Sequence, residues 1–451
     1  MNDSREKIII GNCSGFYGDR LSAAKDMVDG GPIDVLTGDY LAELTMTILY
    51  NQRMKRGEDQ GYVGTFLKQF SEVAVSCQEK NIKIVTNAGG LNPASMANKI
   101  EEIVKELNLD LKIAYIDGDD LIPRFDELKA ENEPLTNMEK GISLHDYEKK
   151  PLTANAYFGA WGIKEALDAG ADVVVCPRVT DAAVVIGPAA WKYNWSRDNF
   201  DALAGALAAG HIIECGAQAT GGNYSFYKEV PSFFNMGYPI AEIYEDGSFT
   251  ITKHPGTGGL VSVGTVTAQL LYEINSPAYM NPDVIAHFDT LKIEQEGEDR
   301  VLVSGCRGSS APKTHKVCVN LEGGFRNGTE ILLTGIDIEE KAKIVTDLIF
   351  ENVGGKDQFD HVDIQLIRTD HENPVSNEGA QASLRISVMS QNPDLVGRLF
   401  NAKIVELSLA TIPGYTGRSG MPAGPYIQYW PALIDSKFTV SYTHLTLPTK
   451  A

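Results

Sequence analysis

Apolar residues in the first half of the chain fall in short continuous runs: KIIIG at 7–11, IDVLTG at 33–38, IKIVTNAG at 82–89, LKIAYIDG at 111–118 and ADVVVCP at 171–177. Runs of this length, closed by Gly, Asn or Pro, predict strands buried on both faces. Between them, segments such as LAELTMTILYNQRM and PASMANKIEEIVKELN carry apolar positions three and four apart and predict helices. Residues 1–225 are therefore expected to form an α/β ligand-binding or catalytic domain. Its sheet is expected to be mostly parallel and doubly wound, with helices on both faces.

Beyond residue 225 the period changes. IAEIYEDGSFTITK alternates around an Asp246-Gly247 turn, and LKIEQEGEDRVLVSG, KVCVNLEGGF and EILLTG continue the strand pattern. The helix IEEKAKIVTDLIFENV, the strands HVDIQLIRT and ASLRISVMS and the helix PDLVGRLFNAKIVELSLAT follow. Residues 226–440 are expected to be an α+β domain rich in hairpins. The end, SYTHLTLPTKA at 441–451, is threonine-rich and unlike what precedes it. It reads as a translated sequencing adaptor, a non-native tail, so His444 is set aside from the functional reading.

In an open parallel sheet ligands bind outside the carboxyl ends of the strands. Those ends are polar here: Asn12 and Ser14, then Thr37 and Asp39, then Asn87 and Asn92, then Asp117, Asp119 and Asp120, then Arg178, Thr180 and Asp181. Asn87 and Asn92 are candidate substrate contacts, and Arg178 can clamp a carboxylate or phosphate through two N–H groups. Asp39 and Asp181 are candidate proton-transfer groups. Asp39, Glu43 and Asp119 are the acids that a divalent cation would fit. Helix capping and the helix dipole account for the same acids and amides without any chemistry.

The stretch GHIIECGAQATGGNYS at 210–225 puts His211, Glu214, Cys215 and Gln218 three or four residues apart, within reach of one helical face. It also falls where the pattern changes, the place where a cleft between domains would form. His211 is the candidate general acid or base with Glu214 orienting it, while Gln218 and Asn223 are candidate substrate contacts. Cys215 is a candidate thiolate, but a lone cysteine among small apolar residues is more often an inert buried one. Farther on, Thr257, Gly258 and Gly259 form a glycine turn before the helix pattern TVTAQLLYEI, an arrangement that can offer backbone N–H groups to an anion.

Composition narrows the choice. A net charge of -20 opposes nucleic-acid binding, which needs concentrated Lys and Arg. The six cysteines form no CxxC pair, which excludes the common zinc-ribbon and thioredoxin-like spacings. No run approaches the ~18 apolar residues that span a membrane, and the opening MNDSREKIIIGNCSG lacks an apolar leader. A cytoplasmic location follows as the expectation. GNCSGFYGD has three glycines and Asp39 lies some distance on, but the GxGxxG spacing of an NAD site is absent, as is a phosphate loop.

NCSGFYGDR, TGDYLAELTM, TNAGGLNP, TANAYFGA, PRVTD, GHIIECGAQATGGNYS and KHPGTGGLVSVGTVTAQLLYE, in that order, resemble the acyclic terpene utilisation (AtuA-type) family over about residues 8 to 435. The resemblance implies a cytoplasmic protein encoded with enzymes that degrade acyclic terpenes or branched acids as CoA thioesters. It also implies a small ferredoxin-like domain following this region. The expected function is an enzyme of lyase or hydratase type acting on an unsaturated acid or acyl-CoA, with a small-molecule acid or acyl-CoA as ligand. The other class is a non-catalytic subunit that binds acyl-CoA or a nucleotide and assembles with partner enzymes. A homo-oligomer, or association with a ferredoxin-like domain, is the expected assembly.

Overall fold

The five apolar runs become five parallel strands. In the computed structural model, which describes residues 6–417 and 422–445, they are Lys7–Asn12, Val35–Gly38, Lys83–Thr86, Val173–Val175 and Ile113–Asp117, in that spatial order. Ile10 lies beside Val35, Leu36 beside Ile84, Val85 beside Val174 and Ala114 beside Val174 on its other edge. Their near-complete burial explains why each reads as a continuous apolar run rather than an alternating one.

The described chain divides into two compact units: residues 6–147, 151–320 and 430–445 form the first, and 148–150 with 321–417 and 422–429 the second. In the first unit the parallel strands are the middle of a larger sheet. The hairpin Ile240–Tyr244 and Phe249–Thr252 adds antiparallel to Lys7–Asn12, and Lys292–Gly297 with Arg300–Ser304 extends it further. The sheet is thus mixed, not mostly parallel. The change of period near residue 225 marks a switch of strand direction within one unit, because Ile10 pairs with Ala241 across it. At the other edge Tyr442–Leu445 pairs antiparallel with Ile113–Asp117, and the His444 ring stacks on Tyr115 at 4.6 Å. An open sheet edge accepts any backbone, so this pairing is independent of where those residues came from. Residues 446–451 of the expected tail lie outside the described residues.

Two helices are apolar on every side. Ala183–Lys192 and Phe200–Ile213 are buried almost throughout, as helices without a polar face must be. Gly205 lets the second lie against the turn after Ile240–Tyr244: a Cβ there would stand 1.9 Å from the Gly247 carbonyl oxygen. This helix ends at Ile213 and a separate 3-10 turn spans Gly216–Thr220. The single helical face expected for His211, Glu214, Cys215 and Gln218 is therefore broken after its first pair.

The second unit has the order strand, helix, strand, strand, helix, strand: Thr314–Thr334, Ile338–Asn352, His361–Arg368, Gln381–Ser390, Phe400–Glu406 and Tyr415–Gly417. Its strands are antiparallel, with His361–Arg368 at one edge and Tyr415–Gly417 at the other. That is the ferredoxin-like arrangement. Thr314–Thr334 begins in the first unit and fuses what the sequence suggests are two strands. Ile338, Ala342, Val345 and Ile349 form the helical stripe that meets Leu384, Ile386 and Val388, the alternating inward residues of one strand.

Among the described residues no helix is long and apolar enough to cross a membrane.

Candidate active site

The carboxyl ends of the parallel strands open onto a cavity of about 530 Å³ in the first unit. Asp39 reaches it from the end of Val35–Gly38, and Arg178, Thr180 and Asp181 from the turn after Val173–Val175. Glu214 and Cys215 reach it from the end of the helix Phe200–Ile213. The loop after Lys7–Asn12 closes against that helix end. Asn12 donates to the Ile213 and Glu214 carbonyls at 2.6 and 3.2 Å, and a Cβ on Gly15 would stand 2.5 Å from the Cys215 carbonyl carbon. The glycine at 15 thus serves close packing rather than a phosphate.

Five carboxyl groups, those of Asp39, Glu43, Asp181, Glu214 and Glu273, face this cavity with the cations Arg178 and Lys316. Like charges crowded in a partly buried site disfavour one another's ionisation. Burial pushes Asp39 well above the usual carboxylate range and Asp181 adds to it, with Arg178 and Asn87 acting the other way. Burial likewise pushes Glu214 up to about 7, against the pull of His211. At Glu43 burial is outweighed by the Tyr157 hydroxyl, which donates at 2.7 Å, and by the Lys316 ammonium at 3.2 Å, so the group is held at about 2.

Arg178 is almost wholly buried. One guanidinium nitrogen donates to Asp181 at 2.8 Å and to the Val179 carbonyl at 2.6 Å, the plane lies 4.0 Å from the Tyr157 ring centre, and Nε has no partner. Asp181 and the Tyr157 ring help keep it charged against the cost of burial.

Other expected site residues stand behind the cavity or away from it. Asn87 donates to Asp39 Oδ1 and accepts from the Tyr40 backbone N–H at 2.8 Å, so it positions the carboxyl rather than lining the cavity. Asp119 is buried, accepts from Asn155 at 2.8 Å and from the Arg178 backbone N–H at 3.2 Å, and is pushed up to about 7 by burial and Asp120. His211 lies against Tyr279 and Phe288, its ring centre 5.1 and 5.7 Å from theirs. Its Nδ1 is 3.2 Å from Glu214 Oε1, at ion-pair distance, and Nε2 has no partner among the described residues. Burial opposes a charge on His211, and Glu214 more than compensates, raising its pKa. The histidine thus backs Glu214, and it is Glu214 that meets the cavity.

Asn92 caps the helix Pro93–Glu106, accepting from Ser95 N–H at 3.2 Å. Gln218 and Asn223 bond to each other at 2.9 Å and do not line the cavity. The glycine turn is also elsewhere, and its amides are used within the protein: Gly258 N–H donates to the Asn235 carbonyl and Gly259 N–H to that of Ser232. Thr257 donates its hydroxyl to the His254 carbonyl at 2.7 Å. Cys215 lines the cavity as a thiol, because burial and the neighbouring carboxylates push its pKa up. Among the described residues no group of three His, Cys, Asp or Glu side chains is arranged to hold a metal ion. Asp39, Glu43 and Asp119 are held by separate partners and do not form such a group.

Further residues in or behind the cavity have no counterpart among those expected from sequence. Tyr157 and Asn155 belong to or follow the strand Pro151–Ala156, whose end is polar like the other strand ends and was open to the same reasoning. Lys316 carried no local signal. It reaches Glu43 because the Tyr157 backbone N–H bonds the Lys316 carbonyl at 2.9 Å, a pairing between segments far apart in sequence.

No curated protein matches the chain. Among solved structures, a homoserine dehydrogenase from S. aureus aligns at 9% identity over 90% of this chain and 84% of that one, with a TM-score of 0.16, too low to carry an argument. The model of the acyclic terpene utilisation family protein AtuA matches residues 8–445, nearly the whole chain, and the protein belongs to that family.

Proposed function

We propose that the cavity is the active site of a lyase or hydratase that adds or removes water at an unsaturated, branched acid or its CoA thioester, in acyclic terpene or branched-acid catabolism. The observation that carries this reading is that Glu43, held ionised, and Glu214, poised near neutral pH, face the same cavity. Two carboxyl groups whose surroundings drive their pKa values apart are suited to opposite proton transfers. In hydration, Glu43 takes a proton from water as its oxygen bonds the β-carbon. The C=C electron pair becomes an enolate, and Glu214 gives its proton to the α-carbon. Both groups then exchange protons with solvent. Arg178 supplies positive charge for the developing oxyanion. A cavity of about 530 Å³ suits a small acid or the acyl part of a thioester.

The decisive variant is Glu214→Gln, assayed on whichever of 3-methylbut-2-enoic acid and its CoA thioester the wild type turns over. Loss of proton transfer is expected to lower kcat by about 10²–10⁴-fold, with ligand binding by thermal shift retained. Unchanged turnover would remove Glu214 from the mechanism. Binding by wild type with no turnover of any ligand favours the non-catalytic acyl-CoA- or nucleotide-binding subunit.

A further inference from the structure

The two oxygens of Asp39 are in different situations. Oδ1 accepts from the Asn87 side chain and, at 3.2 Å, from the Leu41 backbone N–H. Oδ2 takes no hydrogen bond from any described residue, yet it is not sealed from the cavity that Asp39 lines. Asn87 is itself fixed by the Tyr40 backbone N–H, so the orientation of the carboxyl is determined by the protein. One oxygen is held by two donors and the other by none.

The charges around it bear on its proton. Asp181 and Arg178 approach from the turn after Val173–Val175, and Glu214 from the end of the helix Phe200–Ile213. Glu43 and Glu273 face the same cavity. Arg178 opposes the rise at Asp39, and its guanidinium is engaged by Asp181, while Lys316 in the same cavity pairs with Glu43. The surroundings disfavour a further negative charge at this position.

We propose that Asp39 acts as an uncharged carboxylic acid whose Oδ2–H donates a hydrogen bond to a carbonyl oxygen of the ligand. The ligand class follows: it carries a carbonyl able to accept this bond, as a thioester does, and the bond strengthens as that oxygen gains charge. No proton leaves Asp39, which distinguishes it from Glu214. The inference rests on the cavity being the ligand site proposed above. It assigns Asp39 an electrophilic role rather than the proton-transfer or cation-binding roles considered from sequence.

Asn is the informative replacement. With its amide oxygen in the place of Oδ1 it keeps both internal hydrogen bonds, and its NH2 donates where Oδ2–H did, but it cannot ionise. Infrared difference spectra of the full chain, wild type minus Asp39→Asn near neutral pH, are expected to show the C=O stretch of a protonated carboxyl. A carboxylate signal in its place overturns the proposal, and this readout needs neither ligand nor turnover. Binding of 3-methylbut-2-enoyl-CoA by Asp39→Asn is expected to match wild type near neutrality and to persist at alkaline pH where wild type weakens. Asp39→Ala is expected to lose about 10²-fold. The thioether analogue lacking the carbonyl gives a second comparison that does not depend on the folding of the Ala variant, with wild type expected to bind it far more weakly than the thioester. Equal losses in the Asn and Ala variants, or equal binding of thioester and thioether, overturn it. Failure of Glu214→Gln to affect turnover would strike the acid-base reading and leave the infrared result standing.

Discussion

The two units bury polar groups in opposite ways. The first encloses Asp39, Asp119, Arg178, His211, Glu214 and Asp283, whereas among the described residues the second buries Asn327, Thr329, Thr346 and Ser390 and, of its charged side chains in ion pairs, shields only that of Asp370, 7% exposed beside Arg368. Its ion pairs, such as Arg368 with Asp370 and Glu339, involve an arginine that is 44% exposed. A buried charge costs several kcal/mol unless paired, and the second unit keeps most of its ion pairs at the surface. Asp39, Asp119, Arg178 and Glu214 bear such costs around the cavity at the carboxyl ends of the parallel strands, which supports the reading of that edge as the ligand site proposed above.

The contrast can be broken first at its strongest point. Arg178→Ala removes the partner of Asp181 and the cation over Tyr157. It is expected to destabilise the protein by about 3 kcal/mol, the low end for a buried pair because Asp181 is partly exposed, and to abolish ligand binding. Thermal unfolding with and without ligand checks both parts, and an unchanged midpoint would show the charge cluster to be energetically idle.

Next is pH. Asp119 is raised from 3.8 to about 7 and Glu214 from 4.5 to about 7, so the folded protein holds protons there that the unfolded chain releases. The stability from these groups is present below the unfolded pKa values and is lost as pH rises through about 7. Asp119→Asn is expected to reduce that slope by a few kcal/mol in total across the window, as measured by urea unfolding between pH 4.5 and 8. A wild-type stability that rises over this range would contradict it.

Smaller effects sharpen the boundary of the site. Asn92→Ala should cost about 1 kcal/mol as a lost helix cap while turnover and ligand affinity stay at wild-type values. A substantial loss of affinity would return Asn92 to the site. Arg368→Ala should leave the unfolding midpoint where it was, and a clear drop would show that exposed pairs in the second unit matter more than their solvation suggests.

Within the sequence, the strand ends were the most informative feature. Asp39, Arg178 and Asp181 share a cavity because parallel strands all present their carboxyl ends to one edge, a property of the βαβ rhythm visible in the apolar runs, whereas Glu214 reaches it from a helix end. The glycine turn at 257–259 looked similar in residue type but its amides turn inward, which depends on Ser232 and Asn235, residues that local pattern does not connect to it. Likewise the mixed character of the sheet rests on Lys7–Asn12 accepting a strand from beyond residue 225.

What the amino-acid order determined by itself was therefore local: which runs are strands, which helices are buried all round, and which polar residues follow strand ends. Periodicity and capping act over a few residues and survive without knowledge of the rest of the chain. The tertiary structure decided which of those polar groups stay ionised. It set Lys316 and Tyr157 on Glu43, turned His211 behind Glu214 and gave both internal donors of Asp39, which lines the cavity, to the same oxygen. Burial and the placing of distant charges fix proton affinity, and neither is encoded in any short stretch of sequence.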